Sequence, residues 1–387
     1  MTLTFVIASL SGGGVERVAA YMANYWARQG WQINIVTICH GRKPPAYHLN
    51  PAIVHRDLDY YDRVAMGAAA AGDMGGLARL MKECSEPERE LLRAEQALIA
   101  ALRAEIVVSG ADVVIAFMDV NNVRTLAATY GLAVPVIVSE HSDPYMNRFS
   151  EAREMLRRRL YPRARYVVTL TREVLEFLAP IAGARARVIP NAVEPPAVKG
   201  TRNFRRAPEG LVMSMGRLSH EKGFPLLLEA FATVASSYPE WRLEIWGEGP
   251  LREMLVGLAG ELGLCGRASF PGFTTQPHEV MRHADLFVVS SLCEGWSNVL
   301  AEAMACGLPV VSFDCPSGPR NIIRSGVDGL LVPAQSVQKM GAALAALMGN
   351  RAERERLARR APEVLERFSI DKVMGMWDET VTAAAGV

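Results

Sequence analysis

The hydrophobic positions of this chain fall into short, strand-length runs that alternate with longer segments of helical periodicity. In the first half, five runs have the length and apolar character of buried strands: residues 3–8, 33–38, 113–117, 134–138 and 166–169. Strands buried on both faces and joined through helical segments are typical of parallel sheets with crossover helices. The first half is therefore predicted to be a doubly wound α/β domain.

The same pattern restarts in the second half. Five more strand-length runs cover residues 211–215, 243–246, 268–271, 286–289 and 309–313. Predicted helices cover residues 224–238, 251–262, 298–305 and 337–348. The repetition predicts a second doubly wound α/β domain, with ligands expected beyond the carboxyl ends of the strands and in a cleft between the domains.

A proline-rich segment between the two series is the best candidate for a linker. Residues 189–196 contain three prolines, and residues 199–207 have no strand pattern. The boundary placed there gives an N-terminal domain of residues 1–193 and a C-terminal domain of residues 194–365. Within the first domain, residues 86–105 are predicted to form one charged helix.

The charge balance limits the possible partners. The 387 residues include 42 Lys+Arg against 41 Asp+Glu, a formal net charge of +1. This balance argues against nucleic-acid binding, because a surface that neutralises phosphates along its whole extent would be basic. The six cysteines show no C-x-x-C pair, and no apolar run approaches the ~20 residues of a membrane span. We expect a cytoplasmic protein with reduced thiols.

One segment is nevertheless strongly basic. Residues 145–165 carry seven Arg and two Glu, and Met146, Phe149, Leu156 and Leu160 recur at helical spacing. This pattern predicts a basic amphipathic helix in which Arg157, Arg158 and Arg159 could contact an anionic membrane surface or a pyrophosphate-linked acceptor. An ordinary amphipathic helix with a solvated arginine face remains the alternative.

Three glycines follow the first predicted strand. Gly12, Gly13 and Gly14 precede a predicted helix, where glycine allows close approach of a ligand and the helix N–H groups attract an anion. Counted from Gly12, Arg17 stands where a G-x-G-x-x-G dinucleotide motif has its third glycine. An NAD-dependent oxidoreductase is therefore disfavoured, while ligand approach is favoured over a plain strand–helix turn.

Two loops of the second half follow strands in the same way. In the loop after residues 211–215, Arg217 and Lys222 could together neutralise a diphosphate. Two solvated surface cations are the alternative. Gly247 lies in the turn W-G-E-G-P-L, which by itself is weak evidence, because glycine-rich turns are usually structural in doubly wound sheets.

The densest group of candidate residues follows the predicted strand 286–289. Glu294 lies in the loop, and Ser297 is the predicted N-cap of a helix whose first-turn amides belong to Asn298, Val299 and Leu300. Glu302 lies one turn further. An anion at the amides with carboxylates on either side suggests a nucleotide diphosphate whose ribose and sugar hydroxyls bind the glutamates. Glu294 could alternatively be a simple capping carboxylate.

These motifs resemble the retaining glycosyltransferases of family 4, which have the GT-B fold of two Rossmann-like domains facing across a cleft. Glu294 and Glu302 have the family's E-x7-E spacing within E-G-x-x-N-V-L-x-E-A-M-A-C-G-L-P-V-V. The other motifs stand in the family's order: G-G-G-V-E-R from Gly12, S-E-H from Ser139, I-P-N from Ile189, G-R-L-x-x-E-K-G from Gly216, G-E-G-P from Gly247 and F-P-G-F from Phe270. The resemblance covers nearly the whole chain.

The resemblance implies a role for each matching residue. Arg217 and Lys222 match the family's pair on the donor diphosphate, and Gly13 and Gly14 match the loop over it. The remaining matches are Glu294 on the donor sugar and phosphate region, Glu302 on the ribose, Phe273 beside the nucleobase and His141 facing the donor sugar. By sequence alone, His141 could instead be a structural residue. The implied enzyme uses neither a cofactor nor a metal.

Several segments resemble the bacterial branch that extends lipid-linked surface oligosaccharides: residues 112–117, 139–144, 159–164 and 316–320. The implied reaction moves a hexose or N-acetylhexosamine from a UDP-sugar, with retention, to a glycan acceptor carried on a polyprenyl diphosphate. The enzyme would act at the inner face of the membrane. Residues 366–387 are expected to cross back onto the first domain. The chain departs from the branch at Asn321, where Glu is common, so any donor contact or helix cap there is in doubt.

Other interpretations are weaker. The triplet Asp57-Leu58-Asp59 matches the D-x-D metal motif of a different glycosyltransferase fold, and we reject it because such short matches are common by chance. A sugar-nucleotide epimerase with the same fold would bind UDP-sugar without acceptor-dependent UDP release. A sugar-binding module without catalysis is disfavoured by the matching Arg217, Lys222, Glu294 and Glu302.

Overall fold

The computed structural model describes residues 1–41, 44–60, 75–144, 149–196 and 210–387. The chain divides into two compact units, one of Met1–Pro190 with Val373–Val387 and one of Asn191–Lys372. Each unit is built on its own parallel sheet, which confirms the predicted α/β class. The predicted strand-poor segment 199–207 lies outside the described residues.

Within the described residues, the sheet of the first unit has seven parallel strands in the order β3-β2-β1-β4-β5-β6-β7. The order reverses between β1 and β4, and such a switch point is where open α/β sheets bind ligands. The strand bounds are β1 Thr2–Ile7, β2 Gln32–Thr37, β3 Val54–Asp57, β4 Val113–Phe117, β5 Val136–Glu140, β6 Tyr166–Thr169 and β7 Ala186–Val188.

Helices cover this sheet because their apolar stripes pack on its central strands, of which β4 and β5 are buried throughout. Trp26 of the first helix, for example, packs edge-on against Phe5 of β1, with ring centroids 6.0 Å apart. The helix bounds are α1 Gly14–Arg28, α2 Gly75–Glu83, α3 Glu86–Ala94, α4 Gln96–Ser109, α5 Asp119–Ala128, α6 Glu151–Leu160 and α7 Arg172–Ala182.

The second unit repeats this architecture, with six parallel strands among its described residues in the order β10-β9-β8-β11-β12-β13. Its switch point lies between β8 and β11. The strand bounds are β8 Gly210–Met215, β9 Trp241–Trp246, β10 Ala268–Gly272, β11 Leu286–Val289, β12 Val310–Asp314 and β13 Leu330–Pro333. The helix bounds are α8 Phe224–Ala235, α9 Arg252–Glu261, α10 Pro277–Met281, α11 Asn298–Ala305, α12 Pro319–Ile322, α13 Val337–Gly349, α14 Arg351–Arg360, α15 Val364–Arg367 and α16 Ile370–Ala385.

From Val373 onward, α16 belongs to the first unit. Asp378 accepts hydrogen bonds from Trp26 Nε1 at 2.6 Å and from Tyr25 Oη at 3.3 Å. Arg165 donates to the carbonyl oxygen of Ala383 at 3.1 Å. None of the helices in the described part of the chain has the length and apolar character needed to cross a membrane.

The predicted helix 86–105 is wrong in its continuity. The structure has two helices, α3 and α4, which meet at Glu95. The Glu95 carboxylate accepts hydrogen bonds from Arg124 at 2.8 Å and from Arg153 at 2.9 Å. These partners come from α5 and α6, so a local periodicity could not reveal the break.

The sequence patterns also missed three strands, β3, β7 and β13, which all lie at sheet edges. Edge strands are exposed along one side and need no continuous apolar run. In β3, for instance, Val54 and Arg56 are exposed.

Candidate functional site

The loop after β8 is fixed to the adjacent strand β11 by a glycine. Gly223 has a φ of +59°, and a Cβ at this position would overlap the carbonyl oxygen of Ser290 at the end of β11. Ser290 Oγ donates a hydrogen bond to the carbonyl oxygen of Lys222 at 2.9 Å. Only glycine combines this backbone conformation with this approach, so the loop carries Lys222 to the switch point of the second sheet.

Lys222 and Glu294 form an ion pair at this switch point. Lys222 Nζ lies 2.7 Å from Glu294 Oε1, which also accepts a 2.7 Å hydrogen bond from Ser291 Oγ. Burial acts to lower the pKa of Lys222, but the Glu294 carboxylate outweighs it, so the pKa is raised on balance. The pair therefore holds a charged ammonium at the carboxyl ends of β8 and β11.

Arg217 lies in the same loop, and its side chain is exposed. The backbone beneath it is held in place: the amide of Leu218 donates to the carbonyl oxygen of Glu248, and the amide of Leu251 donates to that of Leu218, both at 2.9 Å. Arg217 is thus an exposed cation on a fixed loop, in the same unit as Lys222.

Gly247 has a structural explanation in this arrangement. Its φ is +135°, and a Cβ there would overlap the carbonyl oxygen of Gly216 in the loop after β8. Its amide donates to the carbonyl oxygen of Gly272 at 2.8 Å. The glycine lets two loops pack backbone to backbone, and this packing accounts for it without a ligand.

Helix α11 begins at Asn298 and Ser297 is its N-cap residue, both as predicted, but the serine does not cap the helix through its side chain. Ser297 has a φ of 92° and a ψ of 73°, and its side chain makes no capping hydrogen bond. Asn298 Oδ1 accepts a 2.9 Å hydrogen bond from Asn191 Nδ2. The amides of Asn298, Val299 and Leu300 have no carbonyl partner within a helix of this kind, since they belong to its first turn. Glu302, one turn on, is only 7% exposed.

Phe273 follows the edge strand β10 and is 62% exposed. The preceding Gly272 has a φ of +101°. The ring of Phe273 therefore lies outside the core, and its contact with a nucleobase stays a prediction.

The glycine loop of the first unit is capped by its own helix. Gly13 is the N-cap of α1, and Glu16 accepts hydrogen bonds from the Gly13 amide and from Ser9 Oγ. Tyr47 Oη donates to the carbonyl oxygen of Gly12 at 3.1 Å. Gly13 and Gly14 themselves are exposed, but Glu16 already accepts from the Gly13 amide, and the ligand contact of this loop stays a prediction.

His141 follows β5 directly and is buried. Its Nε2 lies 3.0 Å from Ser139 Oγ, and within the described residues its Nδ1 has no hydrogen-bond partner. Burial lowers the pKa of His141 to about 3, so the imidazole is neutral near pH 7. It can exchange hydrogen bonds with a sugar but cannot contribute a positive charge.

The neighbouring Glu140 is a polar residue for which the sequence motifs predict no role. It is buried and accepts a hydrogen bond from Tyr161 Oη, and Asn122 Nδ2 lies 3.3 Å from the same hydroxyl. Burial raises the pKa of Glu140 to about 7. The S-E-H motif contained this residue, but nothing in its spacing indicated a buried acid.

The basic helix is shorter and less solvated than predicted. Helix α6 covers Glu151–Leu160, and Met146 lies outside the described residues. Arg157 has a side chain only 5% exposed, which pairs with Glu154 at 2.6 Å and stacks over Phe149. Arg159 pairs with the buried Glu88 at 2.8 Å. Of the three predicted patch residues, Arg158 alone is mostly exposed, at 70%.

Two further sequence interpretations acquire a structural account. Asp57 accepts hydrogen bonds from the amides of His40 and Gly41 and from Thr37 Oγ1, all at 3.1 Å or less, so it fixes the loop after β2. Asn321 Oδ1 accepts from the Gly318 amide at 3.1 Å. The side-chain oxygen of Asn321 therefore supplies the helix cap that was in doubt.

Comparison with known proteins matches both halves of the chain. The family model described as Glycosyltransferase Family 4 matches residues 12–195, and the model described as Glycosyl transferases group 1 matches residues 202–364. Fold, site and both matches define a glycosyltransferase of the GT-B class. The chain belongs to the GT-B glycosyltransferases of the family 4 type.

Among curated relatives, an exopolysaccharide phosphotransferase of Streptomyces coelicolor is 33% identical over 213 residues, 55% of this chain and 22% of that protein. The chain spans less than two thirds of the length of the first curated relatives that it matches. An α-1,4-N-acetyl-D-galactosaminyltransferase of Campylobacter jejuni is 25% identical over 384 residues and 97% of both chains. The solved structure of Anabaena HepE with UDP and glucose has a TM-score of 0.74 at 19% identity, covering 98% of this chain and 99% of that one.

Proposed function

We propose that this chain transfers a sugar, a hexose or N-acetylhexosamine, from a UDP-sugar to a lipid-linked glycan acceptor in bacterial glycan assembly, with retention of configuration. The observation that carries the proposal is the Lys222–Glu294 pair at the switch point of the second sheet. Lys222 lies in the loop after β8 and Glu294 in the loop before α11, in the same unit as the exposed Arg217. Cations and the first turn of a helix at the carboxyl ends of neighbouring strands suit a diphosphate.

The comparisons support this choice of substrates. The full name of the Campylobacter relative includes the saccharide GalNAc-α-(1→4)-GalNAc-α-(1→3)-diNAcBac-PP-undecaprenol, which is lipid-linked. The Anabaena structure was solved with UDP and glucose. Both facts concern those proteins, and they make a UDP-sugar donor and a polyprenyl-diphosphate acceptor the first substrates to test here.

In the proposed mechanism, negative charge develops on the diphosphate as the bond to the sugar breaks. Lys222, Arg217 and the first-turn amides of α11 would stabilise this charge. These groups supply fixed positive charge and donors from the protein, so the proposal requires no metal ion. The leaving phosphate can accept the acceptor's proton on the same face of the sugar, which retains the configuration.

The carboxylates and His141 would position the sugar and ribose. Glu294 already shares one oxygen between Lys222 and Ser291, so its other oxygen is the candidate acceptor for a sugar hydroxyl. Glu302 is the candidate for the ribose. Neutral His141 would contact the sugar by hydrogen bonding, in the same way that uncharged donors orient carbohydrates.

The proposed site of action is the inner face of the membrane, where a polyprenyl-linked acceptor is presented. Of the three arginines, Arg158 is the best candidate for a direct contact with the lipid surface. Arg157 is buried and Arg159 pairs with the buried Glu88, whereas Arg158 stays 70% exposed although it also pairs with Glu154. Any membrane contact by α6 should therefore be weak.

A UDP-release assay tests the proposal. Purified protein is incubated with a panel of UDP- and GDP-sugars, with and without undecaprenyl-diphosphate-linked saccharides, and the product is examined by NMR. We expect acceptor-dependent UDP release from a UDP-sugar and an axial, retained anomeric linkage. UDP-sugar conversion without an acceptor would instead favour an epimerase, and an inverted linkage would contradict the retaining mechanism.

A further inference from the structure

Glu140 is a buried acid that contacts two buried polar side chains, those of Tyr161 and Asn122. Glu140 is 4% exposed, and the other two are fully buried. Tyr161 Oη donates a hydrogen bond to Glu140, and Asn122 Nδ2 donates to Tyr161 Oη at 3.3 Å. The Asn122 side chain is also a hydrogen-bonding neighbour of Glu140. Such a buried network is costly unless every member has a partner.

One atom of this network has no partner while Glu140 is a carboxylate. Asn122 Oδ1 is buried and, within the described residues, receives no hydrogen bond. A carboxylate can only accept hydrogen bonds, so an ionised Glu140 leaves this oxygen unsatisfied. A protonated Glu140 carries an O–H group that can donate to it. The proton therefore completes the network.

The groups around Glu140 favour this proton. Burial is the main cause that raises its pKa to about 7, and Asp119 at the start of α5 raises it further. The side chains that act in the opposite direction are Tyr161, Arg157 of α6 and Asn122. Burial also raises the pKa of Tyr161, which stays neutral. Glu140 is therefore protonated below about pH 7 and ionised above it.

The same network fixes the backbone from which His141 projects. Asn122 Nδ2 donates to the carbonyl oxygen of Ser139 at 3.2 Å, and the Met118 amide donates to that oxygen at 3.1 Å. His141 Nε2 lies 3.0 Å from Ser139 Oγ, and its Nδ1 has no hydrogen-bond partner among the described residues. Ser139 thus orients the imidazole, and a displacement of Asn122 would move both residues.

We propose that Glu140 is a positioning residue for sugar transfer, which in its protonated form acts through Asn122 and Ser139 to hold His141 in place. This inference rests on the proposed function, because it assumes that His141 contacts a donor sugar. Ionisation of Glu140 removes its hydrogen-bond donor and introduces a negative charge into the network. Turnover therefore falls as the pH rises and Glu140 loses its proton.

Two substitutions separate the proton from the hydrogen bond. Glu140→Gln keeps a donor for Asn122 Oδ1 but cannot ionise, whereas Glu140→Met has a similar volume without a donor. We expect wild-type turnover to fall about tenfold between about pH 6 and about pH 8.5, and Glu140→Gln to keep the higher value at both. Glu140→Met should be about tenfold slower than wild type at the lower pH, because a small displacement of a positioning group is enough. Acceptor-dependent UDP release from the UDP-sugar measures turnover.

A second buried acid and a binding measurement are the controls. Glu88 is also fully buried but pairs with Arg159, so Glu88→Gln should lower the melting temperature and leave the pH profile of turnover unchanged. UDP affinity at a single pH should be equal in wild type and both Glu140 variants, because UDP lacks the donor sugar. Infrared spectroscopy of wild type at the lower pH should show the C=O band of a protonated carboxyl group, which Glu140→Gln lacks.

Several outcomes would overturn the inference. Turnover that falls with pH in Glu140→Gln as it does in wild type would do so, as would a wild-type profile without a fall or undiminished turnover in Glu140→Met. The absence of the carboxyl band from wild type would overturn it independently of activity. If wild type released no UDP from any donor at either pH, the proposed function itself would fail, so the two failures are distinguishable.

Discussion

The carboxyl ends of the two sheets carry opposite kinds of polar group. In the second unit, Lys222 and Glu294 form a charged, partly exposed pair. In the first unit, Glu140 and His141 are buried. Burial raises the pKa of Glu140 and lowers the pKa of His141, so it favours the neutral form of each. The same topology thus supports one crevice built to hold charge and another built to hold neutral hydrogen-bonding groups. We assign the diphosphate to the former and uncharged sugar hydroxyls to the latter.

The largest expected effect is the loss of turnover when the charge of Lys222 is removed. Lys222→Met keeps most of the side-chain volume but removes the ammonium, and we expect turnover to fall about 100-fold because the developing phosphate charge loses a fixed partner. UDP release measures this loss. Lys339→Met, at an exposed position of α13, is the matched control. Near wild-type turnover in Lys222→Met would remove the residue from the proposed site.

The buried Glu140 of the first unit should make stability depend on pH. The folded pKa of Glu140 is about 7, above its ordinary value of 4.5. Between these values the folded chain keeps a proton that the unfolded chain releases, so this contribution is present below pH 4.5 and is lost as the pH rises to about 7. The shift corresponds to about 3 kcal/mol in the free energy of unfolding.

Urea unfolding of wild type and Glu140→Gln at about pH 5 and about pH 8 measures this term. Wild type should lose stability relative to the variant as the pH rises. His141 acts in the opposite direction, since its lowered pKa reduces stability as the pH falls from 6.5 to about 3, but it is present in both proteins and cancels. A constant difference between wild type and variant would show that Glu140 is ionised in the fold.

A smaller effect concerns the backbone that carries Lys222. Gly223→Ala adds a Cβ that overlaps the carbonyl oxygen of Ser290, whereas Gly263→Ala adds one with no atom within 4 Å at a similar φ of +70°. Both should lose about 1–2 kcal/mol from the backbone conformation. The overlap should cost Gly223→Ala at least about 1 kcal/mol more. Thermal unfolding compares them, and equal losses would mean that the loop moves without cost.

The smallest effect separates two adjacent arginines of the first unit. Arg158→Ser should change the free energy of unfolding by less than about 0.5 kcal/mol, because the side chain is 70% exposed. Arg157→Ser should cost about 1–3 kcal/mol, since it removes a buried cation stacked over Phe149. Urea unfolding of the two variants distinguishes them, and equal stability would contradict the buried placement of Arg157.

Much of the fold could be predicted because its central strands are uninterrupted apolar runs. The bounds of β4, β6, β11 and α11 match the predicted residues 113–117, 166–169, 286–289 and 298–305. The errors arose where contacts with residues distant in sequence determine the secondary structure. The break at Glu95 depends on Arg124 and Arg153, and the missed edge strands β3, β7 and β13 are only partly buried and lack a continuous apolar run.

The candidate site shows the same division. Motif spacing identified Lys222 and Glu294, and the structure brings them to 2.7 Å. It could not identify the conformation of Ser297, which depends on packing by Ser317 and Gly318 from another loop. Nor could it show that Arg157 is buried, since Phe149 and Phe177 stack against it only in the folded unit. Buried Glu140 was missed for the same reason.

The most direct test of the contrast between the two regions is calorimetric titration of UDP into wild type, Lys222→Met and His141→Ala. We expect wild type to bind UDP, Lys222→Met to bind at least about tenfold more weakly, and His141→Ala to match wild type because UDP lacks the donor sugar that His141 is proposed to contact. Equal losses of UDP affinity in both variants, or undiminished binding by Lys222→Met, would contradict the assignment of the diphosphate to the Lys222–Glu294 pair of the second unit.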